Sequence, residues 1–278
     1  MTVPKIPLGE WIERGTDWLD EYFGPLFDVI KSVIGSLVGF FEGVLMSGPY
    51  WLWLVLFTAL AWWLGRWKFA VFTLLGLGLI VNLGYWDPTM KTLALVITAA
   101  VISVLFGIPI GILCSRSNAA QNIVTPVLDF MQTMPAFVYL IPAITFFSLG
   151  VVPGVIASVI FAIPPTIRLT NLGIRQVPGE LMEAASAFGS TSLQKLVKLQ
   201  LPLALPTIMA GINQTIMLSL SMVVFASMIG AQGVGAVVYK AVTQVKIGEG
   251  FEAGLTIVIL AILLDRLTQN LVKNKRKV

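Results

Sequence analysis

Long apolar runs alternate with short polar stretches along most of this chain. Runs of about 17–25 residues, the length a bilayer asks of a helix, fall at residues 49–65, 68–84, 90–114, 127–149, 152–172, 205–229 and 251–270 and predict seven spans. Residues 1–25 are polar and acidic: Glu10, Glu13, Asp17, Asp20 and Glu21 outnumber Lys5 and Arg14. They lack the basic, apolar and cleavable sections of a signal peptide. From Leu26 to Leu45, Asp28, Lys31, Ser32, Gly35, Ser36, Gly39, Glu42 and Gly43 recur at three-to-four spacing on one side, and large apolar residues fill the other. That pattern predicts an amphipathic helix lying in the interface, because Asp28, Lys31 and Glu42 would each need a partner in lipid. An eighth span is the alternative reading of the segment.

The stretch Val177 to Pro206 breaks the apolar pattern with ordered signals. Pro178 suits a first helical position, Glu180 and Glu183 sit near the positive end of the helix dipole, and Gly189 supplies a stop. Leu181, Ala184, Ala185 and Phe188 at i, i+3, i+4 and i+7 give this short helix one apolar face of mostly small residues. Thr191-Ser192-Leu193-Gln194 then reads as a capping box opening a second helix, which runs through Lys195 and Lys198 to Leu201, where Pro202 disfavours continuation. The segment is a helix-turn-helix elbow at a membrane surface. An amphipathic connector resting on the headgroups is the plainer alternative.

Composition agrees with the pattern. Hydrophobic residues make up 57% of the 278 and charged residues 12%, with a mean hydropathy of +0.89. A soluble domain carries about 25% charge, so the chain is an integral membrane protein. The single Cys114 excludes a disulfide within the chain and a Cys-rich metal site, and the absence of histidine removes the commonest metal ligand and general acid–base group. No cofactor is expected, and a membrane-embedded enzyme finds no catalytic constellation here. No Asp, Glu, Lys or Arg falls near the middle of any span; Asp129, Arg168, Asp265 and Arg266 lie toward one end of their spans and Lys91 toward the other. Ion-coupled carriers usually bury such groups, so any energy for transport must arrive from outside the lipid, through the elbow. With the elbow inside, Arg66, Lys68, Arg116, Arg168, Arg175, Lys195, Lys198, Arg266, Lys273, Lys275, Arg276 and Lys277 are cytoplasmic, whereas only Lys5, Arg14, Lys31, Lys91, Lys240 and Lys246 are external. This bias places the N-terminus outside and the basic tail in the cytoplasm.

Glu183-Ala184-Ala185, Gly189, Leu199 and Leu201-Pro202 resemble the EAA loop of ABC-importer permeases, the cytoplasmic element that inserts into a groove on the ATPase subunit. Leu199 stands where that pattern usually has isoleucine. A longer resemblance runs from about Lys91 to about Leu267. Gln132-Thr133-Met134-Pro135, Tyr139-Leu140-Ile141-Pro142, Ala162-Ile163-Pro164-Pro165, Arg168 through Arg175 and Ile229 through Gly235 are similar to permeases of glycine betaine/proline osmoprotectant importers. The family more often has leucine where Val234 stands. Physically, Pro135, Pro142, Pro164 and Pro165 interrupt helical hydrogen bonding, and such backbone is tolerated in a membrane where it is buried in protein or lines a wet cavity. Simple kinking for packing is the alternative to a gating role.

The resemblance implies an all-α type I ABC importer permease with a MetI-like core. Residues 1–48 would form an extracellular segment with the interfacial helix, 49–89 two scaffold helices, 90–270 a five-helix core carrying the coupling loop at 177–206, and 271–278 a basic cytoplasmic tail. It assigns ATPase coupling to Glu183, Ala184, Ala185, Phe188, Gly189, Leu201 and Pro202. Gln132, Thr133, Pro135, Tyr139, Ser219 and Ser221 are the candidates for the translocation path, with interhelical hydrogen bonding the alternative for the polar residues of the penultimate span. Expected partners are two ATPase subunits, an extracellular substrate-binding protein, a second copy of this chain and the bilayer, with no nucleic acid. The substrate class is glycine betaine, proline or a related quaternary amine. An ion-coupled secondary transporter or channel is the competing function.

Overall fold

The computed structural model describes residues 7–275, with side chains as far as Leu271, so Lys5 and the side chains of the basic tail lie outside the described residues. Among the described residues every element is helical. The helices are α1 (Leu8–Met46), α2 (Tyr50–Asn82), α3 (Trp86–Arg116), α4 (Asn118–Thr133), α5 (Ala136–Phe147), α6 (Val151–Arg175), α7 (Gly179–Ala187), α8 (Ser192–Lys195), α9 (Leu201–Ser221), α10 (Val223–Met228), α11 (Val234–Thr243) and α12 (Ile247–Lys275). Six are long and apolar enough to cross a membrane, counting the continuous run Ser192–Met228 as one, and the bent pair α4 and α5 makes up to seven.

The core is a close pack of α3, α6 and α9. Its helices approach at small residues: a Cβ on Gly107 would lie 2.8 Å from Thr166 Cγ2, and one on Gly111 would lie 2.6 Å from Thr170 Cβ. Inside this pack the Thr166 and Thr215 hydroxyls lie 2.7 Å apart, and Thr215 donates to the Ala162 carbonyl at 2.7 Å. Small residues and hydroxyl bonds are what holds helices together where lipid removes the hydrophobic drive between them. Pro164 and Pro165 are buried in this contact, and here the sequence expectation is corrected: α6 runs through both without a break. Each ring forfeits one hydrogen bond, but its fixed φ suits a helix, and neighbours on either side hold the turn.

Pro135 behaves as expected. Met134 takes an extended ψ of 138° before it, and α4 and α5 bend by 101° there. The straight span placed at 127–149 is therefore two helices, the first beginning at Asn118, where Ser117 Oγ accepts from the Ala120 amide at 3.2 Å. Pro142 does not interrupt α5. The span placed at 205–229 likewise comprises α9 and α10, separated at Met222, and the glycine stretch after it turns through Gly230 (φ +98°) and Gly233 (φ +130°) into α11.

Helix α2 doubles back at Arg66, whose backbone is non-helical at φ 68°, ψ 177°. Leu54, Thr58, Trp62 and Leu74 line one pocket, whereas a straight helix would hold Leu54 and Leu74 about 30 Å apart. Its two arms occupy the two apolar runs read before and after Gly65. Leu77 and Ile80 of the returning arm pack on Ile259 and Leu263 of α12.

Helix α1 is longer than the predicted Leu26–Leu45 segment and mostly exposed, with Val38 and Leu45 its buried residues. Its contacts gather at the end of the bundle away from the elbow. Phe27 stacks on Phe146 at 4.6 Å, Lys31 Nζ donates to Ser148 Oγ at 3.2 Å, and Gly35 faces Val152. Val38 and Leu45 join the cluster around Met90 and Leu93, at the start of α3.

Candidate functional site

The elbow is built from local capping signals. Helix α7 ends in a Schellman motif: the Ser190 amide donates to the Ala185 carbonyl at 3.0 Å and the Gly189 amide to Ser186 at 2.9 Å, with Gly189 at φ +73°. Only glycine takes this conformation without strain. The capping box also forms, the Thr191 amide donating to Gln194 Oε1 at 2.8 Å and the Gln194 amide to Thr191 Oγ1 at 3.3 Å. Lys195 Nζ then donates to Ser186 Oγ at 2.6 Å and ties the two helices together.

The second helix does not stop at Leu201 as the sequence suggested. A π-helical turn, Leu196–Gln200, carries α8 directly into α9, and the Leu201 amide bonds to the Leu196 carbonyl, five residues back. The wider turn relieves the contact that the Pro202 ring would make with the carbonyl before it, so the chain passes the proline without a break. Leu201 is half-buried, packing near Ile174 and Leu196, and Pro202 is exposed.

No residue of α7 is buried. Glu183 and Ala184 are exposed, Ala185 is half-buried, and Phe188 is 90% exposed. Between the two elbow helices lies a cavity of about 450 Å³ walled by Leu181, Ala185, Phe188, Gln194, Lys198 and Leu199. Phe188 thus stands exposed beside a hollow lined by both polar and apolar groups, on a short helix that is tied to its neighbour through Lys195 and buries none of its own residues, a surface free to receive a partner.

The path candidates fall in two places. Gln132, Thr133 and Pro135 surround the α4–α5 bend, and Tyr139 lies one turn beyond it. The Tyr139 hydroxyl is buried and donates back to the Met131 carbonyl, and lies 3.4 Å from that of Phe130. It thereby satisfies the Met131 carbonyl, to which Pro135 has no N–H to offer, whereas the Phe130 carbonyl already accepts from the Met134 amide at 3.2 Å. Tyr139 also packs in one cluster with Met222, so the bend at Pro135 meets the junction of α9 and α10. Ser221, next to that junction, is exposed and donates to the Met217 carbonyl at 3.1 Å. Ser219 points instead into the core: it is fully buried and its hydroxyl has no partner among the described residues. Asn213 joins helices, donating to Asp265 at 2.7 Å and accepting from Thr268 at 2.5 Å.

Several polar contacts were beyond sequence reasoning. Arg168 of α6 pairs with Asp129 of α4 at 2.6 Å. Arg175, at the end of α6, donates to Asn171 (2.9 Å), the Cys114 carbonyl (2.8 Å) and Asn118 (2.8 Å), while Arg116 reaches the Ser192 carbonyl at 3.2 Å. The elbow is thus pinned at its root to the end of α3.

Comparison with known proteins agrees with this architecture. Residues 107–277 match the model of the family described as binding-protein-dependent transport system inner membrane component. The chain is 58% identical to the glycine betaine transport system permease protein OpuAB of Bacillus subtilis, over 99% of this chain and 97% of that one. It is 55% identical to the glycine betaine/carnitine transport permease protein GbuB of Listeria monocytogenes, over 96% of each. It is 46% identical to the glycine betaine/proline betaine transport system permease protein ProW of Escherichia coli, over 98% of this chain and 77% of that one. Among solved structures, an inward-facing form of the MetNI methionine ABC transporter superposes with a TM-score of 0.62 at 21% identity, covering 66% of this chain and 92% of that one.

Proposed function

Because this chain belongs to the family of binding-protein-dependent transport system inner membrane components, we propose that it is the translocating subunit of an ATP-driven importer of glycine betaine and related quaternary amines. The observation that carries the reading is the elbow: a capped, unburied helix pair with Phe188 exposed, rooted in the core through Arg116 and continuous with α9. Glu183, Ala184, Ala185, Phe188 and Gly189 form the surface that enters the ATPase groove. Leu201 and Pro202 lie where the elbow passes into α9. ATP hydrolysis belongs to the separate subunit, since the chain contains no GxxxxGK[ST] run.

Two copies of this chain, two ATPases and an external binding protein make the working unit. Closure of the ATPases moves the elbows. Because α8 passes into α9 through an unbroken run of helical hydrogen bonds, that movement reaches the spans as a displacement of α9 rather than as flexing of a loop. The ATPase can shift the inward–outward equilibrium only by as much as it binds the two states differently, and the elbow is where that difference is felt. Gln132, Thr133, Pro135 and Tyr139 at the bend, with Ser221 at the junction of α9 and α10, mark the path, and the buried Ser219 packs behind it.

The elbow faces the cytoplasm and the N-terminus lies outside, a reading supported by the charge bias and by α1. Its contacts from Phe27 to Leu45 gather toward the far end of the bundle, as those of a helix lying across the outer surface would. Seven spans then remain: the two arms of α2, then α3, the bent α4–α5, α6, α9 with α10, and α12.

Reconstitution in vesicles with the ATPase and binding protein tests the function. ATP should drive accumulation of glycine betaine, and uncouplers should not reduce it while ATP is maintained. Accumulation by this chain alone on an imposed ion gradient would restore the secondary-carrier reading.

A further inference from the structure

Asp129 and Arg168 form an ion pair at 2.6 Å, yet their side chains are 60% and 41% exposed. Asp129 lies one turn before α4 ends at the bend. Arg168 lies seven residues before Arg175, about 10 Å along the axis from the end of α6. At that depth a charge facing hydrocarbon is strongly unfavourable, so the pair must face protein or water.

Helix α4 distinguishes these environments by its faces. Val124, Leu128 and Met131 pack toward Ile163 and Ile167. Ile123, Val127 and Phe130 form a second apolar face, exposed at 70%, 53% and 62%, suited to lipid or another subunit. Between them runs a polar strip, Thr125, Asp129, Gln132 and Thr133, at i, i+4, i+7 and i+8. It leads from the ion pair to the α4–α5 bend. Arg168 makes a single hydrogen bond among the described residues, to Asp129 Oδ1, so all but one of its N–H donors are open. Asp129 keeps its second oxygen free of any partner among those residues.

Resting on the importer reading, we propose that Arg168 and Asp129 form a transient binding station for a small zwitterion on the elbow side of the translocation path. The planar guanidinium presents paired donors that fit a carboxylate. Asp129 lies beside it with the charge that suits a quaternary ammonium. The two ends of a betaine therefore replace the two halves of the internal pair, and the pair re-forms when the solute leaves. Competition from Asp129 keeps the station weak, as passage requires.

The test uses the complex of this chain with its ATPase in nanodiscs, without the binding protein. It carries T133C as the only cysteine of this chain, with Cys114→Ala, and is labelled by an impermeant maleimide. Labelling should be slowed several-fold by glycine betaine at high millimolar concentration and unaffected by glycerol at equal osmolality. R168Q should remove that protection, and R168K should retain part of it. D129N breaks the ion pair as R168Q does, but should keep a weakened protection, because the carboxylate site survives while the ammonium loses its counter-charge. An unlabelled cysteine, equal slowing by glycerol, or protection that persists in R168Q would each overturn the station, as would loss of protection in D129N, which marks the pair as a mere strap. ATP-driven uptake by the unsubstituted complex decides the importer reading separately, so intact uptake with no protection rejects only the station.

Discussion

The guanidinium of Arg175 donates to the main-chain carbonyl of Cys114 at 2.8 Å, joining the last turn of α6 to the last turn of α3 where the elbow leaves the bundle. The same group holds Asn118 and Asn171. A hydrogen bond to a charged group contributes about 1.5–3 kcal/mol in general, and the exposure of Arg175 puts this one toward the lower end. R175A should lower the apparent melting temperature of the detergent-purified chain by a few degrees. It should reduce transport more than stability, because the elbow loses its anchor. Equal transport per folded molecule in R175A and the unsubstituted protein would contradict that anchoring role.

Phe188 is the natural first target at the docking surface. Nearly all of it is free, so F188A removes no packing within the chain and should leave its folding unchanged. A buried aromatic anchor in an interface commonly contributes about 2 kcal/mol or more, so ATPase association should weaken by about thirtyfold or beyond. Titration of the ATPase onto immobilised permease reads this directly.

Gly189 separates conformation from contact. Nothing lies within 4 Å of a Cβ built there, so a side chain meets no clash inside the chain, but φ +73° strains any L-residue. G189A should loosen the α7 cap by about 1 kcal/mol and weaken ATPase binding modestly. G189W, which adds bulk to the docking face, should insert normally and lose the ATPase altogether. Co-purification of the ATPase with G189W at the unsubstituted yield would count against coupling through this face.

Gly111 probes the core instead. A Cβ there would stand 2.6 Å from Thr170 Cβ and 2.8 Å from the Ile167 carbonyl, and a main-chain atom cannot step aside as a side-chain tip can. G111A should destabilise the α3–α6 contact by about 1–3 kcal/mol, and G111V should prevent accumulation of folded protein. Thermal unfolding followed by gel filtration distinguishes the two.

Sidedness is checked by single cysteines at residues 10 and 276 in a background with Cys114→Ala. The first should label with an impermeant reagent from outside and the second only from inside. Labelling of both from the cytoplasmic side would make α1 a span.

Membrane class and the elbow were both legible in the chain itself, because each rests on short-range physics. Hydropathy sums residue by residue, and the caps at Gly189 and Thr191 bond to atoms within five residues of themselves, so no distant neighbour can override them. Arg66 is a similar case: the polar gap between two apolar runs was visible, and the backbone reverses there. The prolines show where this legibility stops. Pro135 breaks its helix, Pro164 and Pro165 do not, and Pro202 is absorbed by a π-turn. A proline forfeits the same hydrogen bond everywhere, and only the helices packed around it decide whether the turn is held straight. The pairing of Asp129 with Arg168, 39 residues apart, and of Asn213 with Asp265, 52 apart, depended on the same thing. Spacing along a chain sets which residues share a helix face; which faces meet is set by how closely small residues such as Gly107 and Gly111 let the helices approach, and that is a property of the assembled bundle.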